Sequence, residues 1–178
     1  MAALRLCAPA FMVLPSLLLP GLAAEPQPAL EYQVRAAFLL NFTRFIEWPP
    51  PAEADPASSI AICIVGDDPF GAALDQIVAG ETLQGRKLTV RRVRRPVPSS
   101  CQVAYISRVE KGVDNLLASI PPGILTVSEG DGFLRDGGMI AFVLENHRVR
   151  FDINQSSAMK AGVRINSKLL NVARSVEK

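Results

Sequence analysis

The chain has 178 residues, of which 49% are hydrophobic and 20% are charged, which is enough apolar sequence for a well-packed core. Its 19 basic residues nearly balance its 17 acidic residues, so the net charge of +2 does not point to nucleic acid or to any other strongly charged partner. Beyond residues 1–24, no segment is apolar for long enough to span a membrane.

Residues 1–24 have the layout of a secretory signal peptide. Arg5 supplies a positive charge, the stretch 8–19 is apolar, and the small residue Ala24 precedes the first acidic side chain. A transmembrane anchor is the alternative, but it needs about 20 apolar residues in a row, and prolines interrupt this stretch. We therefore expect cleavage after Ala24, with cleavage after Ala23 as the alternative, and an exported single domain of residues 25–178.

Residues 29–48 are predicted to form an amphipathic helix, because apolar side chains recur three and four positions apart. The apolar stripe consists of Val34, Ala37, Phe38, Phe42, Phe45 and Ile46, and the charged residues between them are Glu31, Arg35, Arg44 and Glu47. Three prolines end the helix and begin a polar linker. The stripe must cover the protein's own sheet or another subunit. In the second case the interface residues would be Phe38, Phe42, Phe45 and Trp48.

The middle of the chain alternates strands and helices. Apolar or β-branched runs predict strands at 59–66, 86–95, 101–107 and 123–129. The first strand is followed by "DDPFGAALDQIVAG", which predicts a helix capped by Asp68, entered at Pro69 and ended by Gly80. A second helix is expected at 113–120, before two prolines. This alternation predicts a mostly parallel sheet in a three-layer α/β domain.

The last third of the chain has a different pattern. Residues 138–154 contain two strand-like runs around the turn 145–148, which predicts an antiparallel hairpin at one edge of the sheet. A short helix is expected at 156–162, and a terminal helix at 167–178. The predicted fold is thus a single compact α/β domain with an N-terminal amphipathic helix and a C-terminal hairpin.

Cysteine usage agrees with export. Cys7 would be removed with the signal peptide, which leaves Cys63 and Cys101. An even number of cysteines in an exported chain favours a disulfide, and two buried free thiols are the alternative. Closing the loop between Cys63 and Cys101 would stabilise the fold by about 4 kcal/mol in the chain-entropy model.

Signatures of an enzyme are scarce. His147 is the only histidine and lies in the predicted hairpin turn, where a solvated role is expected. One histidine and a cysteine pair that favours a disulfide leave no ordinary zinc or copper site, so we expect no metal and no cofactor. The turn "VGDDPFG" occupies the position where α/β folds bind ligands, but it lacks the glycine spacing that holds a pyrophosphate. We interpret it as an ordinary helix start.

Two polar segments are candidates for binding. The first holds six positive charges in ten residues: Arg86, Lys87, Arg91, Arg92, Arg94 and Arg95. In an exported protein this suits a solvated strand edge better than a nucleic-acid site, and an anionic ligand or an acidic partner surface is the alternative. The second lies where the last strands meet the final helix and could hold a small carboxylate or phosphate, chiefly through Arg164 and Asn166. Its predicted residues are Asp152, Asn154, Arg164, Asn166 and Lys168. Alternatively, Ser167 caps the last helix and Asp152 pairs with an arginine.

Four segments in order resemble the YfiR family of small periplasmic proteins: "AAFLLNFTRFIEWP", "IAICIVGDDPFG", "VRFDIN" and "VRINSKLLNVAR". The resemblance runs from about residue 31 to residue 174. It implies a compact α/β domain that dimerises, without catalytic activity, and a disulfide between Cys63 and Cys101. The namesake type has a second cysteine pair that is missing here. Redox sensing through that second pair is therefore not expected.

The resemblance also implies partners. The namesake type represses an inner-membrane diguanylate cyclase by binding its periplasmic sensor domain, and it can be sequestered by an outer-membrane lipoprotein similar to peptidoglycan-binding proteins. We accordingly expect a periplasmic repressor that lowers cyclic di-GMP. The alternatives are a regulator of a membrane sensor kinase and a binding protein for an anionic or aromatic small molecule.

Overall fold

The computed structural model describes residues 30–48, 59–130 and 132–178. The predicted signal peptide and most of the proline-rich linker lie outside these residues. The helices are α1 Leu30–Phe45, α2 Ala72–Val78, α3 Val113–Ser119, α4 Gly132–Arg135, α5 Gln155–Lys160 and α6 Ser167–Val172. The strands are β1 Ile46–Glu47, β2 Ile60–Val65, β3 Thr82–Leu83, β4 Arg86–Val93, β5 Val103–Ile106, β6 Leu125–Glu129, β7 Ile140–Glu145, β8 Arg148–Asn154, β9 Arg164–Ile165 and β10 Ser175–Glu177.

An eight-stranded sheet has the order β10-β8-β7-β6-β5-β2-β4-β3. The five strands from β4 to β7 in this order run parallel, and the hairpin β7–β8 is antiparallel. All six residues of β2 are buried, because this strand has neighbours on both sides and a layer of side chains on both faces. The predicted mixed α/β fold with a mostly parallel sheet is confirmed.

Alternate residues of β2 enter two separate cores. Ile60, Ile62 and Ile64 pack in a large core with side chains from α1, α2, α5 and α6. The alternate residues Ala61, Cys63 and Val65 pack on the other face with side chains from α3 and α4. The sheet is therefore the middle of three layers, as the strand–helix alternation predicts.

Helix α1 lies on the larger core, but its buried face differs from the predicted stripe. The helix ends at Phe45, and the next two residues form β1, which pairs with β9. The side chains buried from α1 are Arg35, Ala36, Leu39, Leu40, Phe42 and Thr43. The sequence pattern places Arg35 among the solvent-facing residues, and this is wrong, because Arg35 pairs with the buried Glu129 of β6.

Two further helix predictions need correction. Helix α2 begins at Ala72, after Gly71, so neither Asp68 nor Pro69 belongs to its first turn. Asp68 Oδ1 accepts a hydrogen bond from the backbone N–H of Phe70 at 2.7 Å instead. The predicted terminal helix ends at Val172, and the chain then forms β10, which pairs in parallel with β8. The hairpin is therefore one strand away from the sheet edge.

The basic segment forms β4 and the loop after it, near the opposite edge of the sheet. The short strand β3 covers only the first two residues of β4, which leaves most of its outer edge open. Arg92 pairs with Asp68 and Asp75, and Arg95 pairs with Glu110. These contacts agree with the interpretation of a charged strand edge.

The structure joins Cys63 to Cys101, with 5.9 Å between their Cα atoms. The two residues are 38 positions apart, and both are buried in the smaller core. The bridge ties the central strand β2 to the segment just before β5, which is the arrangement that the cysteine count favours.

Candidate functional site

A small cleft opens at the carboxyl ends of the parallel strands. It has a volume of about 260 Å³. We call it the strand-end cleft, and its lining residues are Tyr32, Asp67, Asp68, Pro69, Tyr105, Ser107, Arg108, Val109 and Glu129. They come from α1, from the loops after β2 and β5, and from the ends of β5 and β6.

The cleft lies where the order of the strands reverses. From β2 the chain passes to β4 on one side and then returns to β5 on the other, after which β6 and β7 continue outward. Loops that leave β2 and β5 therefore separate and leave a crevice between them, and ligands of open α/β sheets bind at this point. The sequence pattern locates the first of these loops at a ligand position but favours an ordinary helix start there, and it does not indicate the residues that face this loop across the cleft.

Glu129 forms the floor of the cleft together with groups from three elements. Its Oε2 lies 3.0 Å from Nη1 of Arg35, and both side chains are only 6% exposed. The hydroxyl of Tyr105 donates to Oε1, and the hydroxyl of Tyr32 donates to Oε2 at 3.5 Å. The Arg35 guanidinium also lies 4.6 Å from the ring centroid of Tyr32, so that the ring covers one face of the cation.

The Arg35–Glu129 contact is mainly an ionic one. Although Nη1 of Arg35 is close to the carboxylate, Nη1 and Nε of Arg35 make no hydrogen bond with the described residues. The two tyrosine hydroxyls supply the hydrogen bonds to Glu129 instead. The pair therefore depends on Coulomb attraction between two buried side chains, which is stronger than attraction between exposed ones.

Both tyrosines remain protonated donors well above neutral pH. Burial, and then the hydrogen bond from Tyr105 to Glu129, raises the pKa of Tyr105 above its ordinary value of 10.0. Burial and the charge of Glu129 raise the pKa of Tyr32 in the same direction. An ionised tyrosine beside a buried carboxylate would be costly, so the hydroxyl protons hold this floor together.

An ion pair between Asp68 and Arg92 anchors the loop after β2 to strand β4. Nη2 of Arg92, near the end of β4, lies 2.8 Å from Asp68 and 2.6 Å from Asp75 of α2. The hydrogen bond from Arg92 is the main cause of the lowered pKa of Asp75. Asp67 and Arg108 are exposed at the mouth of the cleft, and neither forms an ion pair within the described residues.

The predicted C-terminal binding corner is divided among structural roles. Asp152 accepts a hydrogen bond from Nε of Arg174 at 2.8 Å, as the alternative interpretation expects. Asn154 caps α5, because its Oδ1 accepts from the backbone N–H of Ser157 at 2.9 Å. These oxygen atoms are engaged within the protein.

The remaining residues of this corner lie further along the chain. Asn166, and not Ser167, caps α6 by accepting from the backbone N–H of Lys168 at 2.9 Å. Arg164 is exposed in β9, opposite Glu47 of β1. Lys168 is exposed in the first turn of α6. The small-anion site predicted chiefly for Arg164 and Asn166 stays a prediction.

The four predicted interface residues differ in burial. Phe42 has no exposed surface and packs against Phe142 and Phe151 in the larger core. Phe38, which contacts the same two rings, is partly exposed. Phe45 and Trp48 are also partly exposed at the end of α1 and beyond it. A role in an interface stays a prediction.

An apolar groove continues outward from Phe38, between α1 and the β7–β8 hairpin. Its volume is about 580 Å³, and its lining residues are Leu30, Glu31, Val34, Phe38, Leu144, His147, Arg148 and Val149. Leu30 is 75% exposed, Leu144 is 54% exposed and Val34 is 39% exposed. His147 lies in the hairpin turn, exposed as predicted, with a φ of 59° that the tight turn requires.

Two kinds of feature are absent from the described ranges. Among the residues that the structure describes, no group of three or more histidine, cysteine or acidic residues could hold a metal ion. No helix among residues 30–48, 59–130 and 132–178 is long and apolar enough to cross a membrane.

A family model described as YfiR/HmsC-like matches residues 32–174. No curated protein matches the chain. A conserved domain protein from Vibrio cholerae O1 biovar eltor is similar in structure, with a TM-score of 0.50 and 11% sequence identity. The ABC domain from Streptococcus pneumoniae, solved in complex with L-Trp, is similar with a TM-score of 0.50 and 12% identity.

Each of these two structural matches covers 82% of this chain and 60% of the other protein. The chain thus spans less than two thirds of either protein. At such low identity the likeness shows the fold alone, an α/β domain with a mostly parallel sheet.

Proposed function

The chain belongs to the YfiR/HmsC-like family, and from this membership we infer that it is a periplasmic regulator of diguanylate cyclase signalling. We propose that it acts without catalysis, as a repressor that binds the periplasmic sensor domain of an inner-membrane diguanylate cyclase and lowers cyclic di-GMP. The family match over most of the chain is the observation that carries this proposal. Export would depend on residues 1–24, which have the composition of a cleavable signal peptide.

A repressor of this kind works by differential affinity. The protein must bind the inactive conformation of the sensor domain more tightly than the active one, since equal affinity for both would shift nothing. It therefore needs an accessible surface that can recognise another protein.

The apolar groove is the surface that best suits this task. Three of its side chains, Leu30, Val34 and Leu144, are among the large apolar residues that are exposed in the described chain. Clustered apolar exposure of this kind is typical of a protein–protein site. The basic side chain of Arg148 lies at its rim, and the acidic Glu31 there already contacts Arg35 at 3.5 Å. The complementary surface of the partner is thus apolar with an acidic group beside it.

The same surface suits other partners of the family type. A membrane sensor kinase could replace the cyclase as the regulated enzyme. An outer-membrane peptidoglycan-binding lipoprotein could compete for the groove and release the cyclase. A homodimer is expected to use the partly exposed aromatic side chains Phe38, Phe45 and Trp48, of which only Phe38 lines the groove.

The proposal is tested by measuring intracellular cyclic di-GMP after deletion of the gene and after its restoration. Deletion should raise the nucleotide, and the wild-type gene should lower it again. Leu144→Asp should fail to restore repression, since it places a charge in the apolar groove. Met159→Asp is the matched control, because Met159 is 59% exposed and does not line the groove. Both variants should keep the melting temperature of the wild type.

Two results would contradict this proposal. Cyclic di-GMP that is unchanged by deletion would remove the cyclase as partner. Equal repression by the Leu144 and Met159 variants would leave the regulator in place but show that it binds through another surface.

A further inference from the structure

The strand-end cleft has no part in the proposed groove contact. We propose that this cleft binds a small zwitterionic molecule, one that carries both an ammonium group and a carboxylate group. The inference concerns binding by the isolated protein and does not rest on the proposed function.

The position of the cleft is the first observation. The loops after β2 and β5 separate at the point where the strand order reverses, which is where ligands of open α/β sheets bind. Gly66, the first residue after β2, has a φ of +85°, which turns the chain sharply into the loop that carries Asp67. A Cβ atom at this position would also collide with the side chain of Glu110. The close turn is therefore built into the backbone.

The charges at the mouth are the second observation. Two of the three carboxylates of the lining already have arginine partners: Glu129 is paired with Arg35, and Asp68 with Arg92. This leaves one negative group, Asp67, and one positive group, Arg108, both exposed and both lining the same cleft. A ligand with a single charge would leave one of these two side chains without a partner, whereas a zwitterionic ligand pairs with both.

The interior of the cleft is the third observation. The hydroxyls of Tyr32 and Tyr105 are held on Glu129, so the floor is fixed before a ligand arrives. Val109, which is 64% exposed, adds an apolar contact at the rim. A pocket near 260 Å³ lies just below the range of drug-sized sites, about 300–1,000 Å³, so it suits a small metabolite.

The test measures the melting temperature of the purified protein with a series of unbranched amino acids. Glycine, β-alanine, 4-aminobutanoate, 5-aminopentanoate and 6-aminohexanoate differ only in the separation of their two charges. Propylamine and propanoate are the matched compounds with a single charge. We expect at least one member of the series to raise the melting temperature by about 3–6 °C at ten times its dissociation constant.

Two variants locate the binding. Asp67→Asn and Arg108→Gln each remove one charge from the mouth. Each should abolish at least about seven tenths of the shift, because losing a charge-assisted contact weakens binding by about tenfold or more. Asp114→Asn and Arg150→Gln are the matched controls, since both residues are exposed and neither lines the cleft. Both control variants should keep the full shift.

Each other outcome overturns the inference. If no member of the series changes the melting temperature, the cleft takes no ligand of this class. An equal shift with propylamine or propanoate alone would show a site for a single charge. A shift that persists in both mouth variants would place the binding elsewhere on the protein.

Discussion

Removing one member of the buried Arg35–Glu129 pair should be among the most destabilising single substitutions in the fold. At 3.0 Å and an effective dielectric constant of about 20, the Coulomb attraction between the two charges is about 5.5 kcal/mol before the cost of desolvation. Replacing Arg35 with Met removes this attraction and leaves Glu129 buried without a counter-ion. The two tyrosine hydroxyls would still solvate the carboxylate in part. We therefore expect the variant to lose about 3–5 kcal/mol in the free energy of unfolding.

Urea denaturation followed by tryptophan fluorescence measures this loss, since Trp48 is the only tryptophan in the chain. Arg44→Met is the matched control on the same helix. Arg44 contacts Glu81 at 2.7 Å, but the two side chains are 45% and 38% exposed. An exposed pair of this kind contributes about 1 kcal/mol at most, so this variant should unfold almost as the wild type does.

A double variant separates the charge effect from lost packing. Arg35→Met combined with Glu129→Gln leaves no uncompensated charge, so it should be more stable than Arg35→Met alone. If Arg35→Met costs no more than Arg44→Met, or if the second substitution adds further loss, charge compensation between Arg35 and Glu129 does not stabilise the fold.

Three further properties follow from the structure. The only tyrosines, Tyr32 and Tyr105, have raised pKa values. At about pH 10.5 the native protein should therefore contain less tyrosinate, and absorb less at about 295 nm, than urea-unfolded protein does. An equal absorbance would show that the hydroxyls are free. Because these pKa values are raised on folding, the stabilisation is complete below about pH 10 and is lost as the pH rises, which thermal unfolding across this range would measure. Cys63→Ser should destabilise the fold by about 4 kcal/mol in urea, as the chain-entropy model gives for a loop of 38 residues, and a wild-type unfolding curve would contradict this. Phe42→Ala should lower the free energy of unfolding by about 3–5 kcal/mol, and Phe38→Ala should lower it by clearly less, because of the two only Phe42 is fully buried. Equal losses in the two variants would refute this reasoning.

The central strands can be predicted from sequence because their signal is local. A continuous apolar run such as 60–65 requires neighbours on both sides, and the structure supplies them. The hairpin is also predictable, since Asn146 and His147 follow one apolar run and precede another. The helix predictions fail at their ends, where distant residues decide the outcome. Residues 46–47 leave the helix pattern only because they pair with β9.

The strand-end cleft shows the same limit. The sequence pattern puts the loop after β2 at the ligand position of an α/β fold, but nothing local relates this loop to Tyr32 or Glu129. Arg35 has the periodicity of a solvent-facing residue, and only the approach of β6 to α1 explains its burial. Asp68 resembles a helix cap in sequence, yet Arg92 of a neighbouring strand engages it.

The claim that the exported chain lowers cyclic di-GMP has one direct test. The gene, with or without the codons for residues 2–24, is placed under an inducible promoter in the deletion strain, and the nucleotide is quantified as the protein level rises. We expect cyclic di-GMP to fall in proportion to the exported protein and to stay high when the leader is missing. A level that does not respond to the exported protein, or that falls equally without the leader, would contradict a periplasmic repressor.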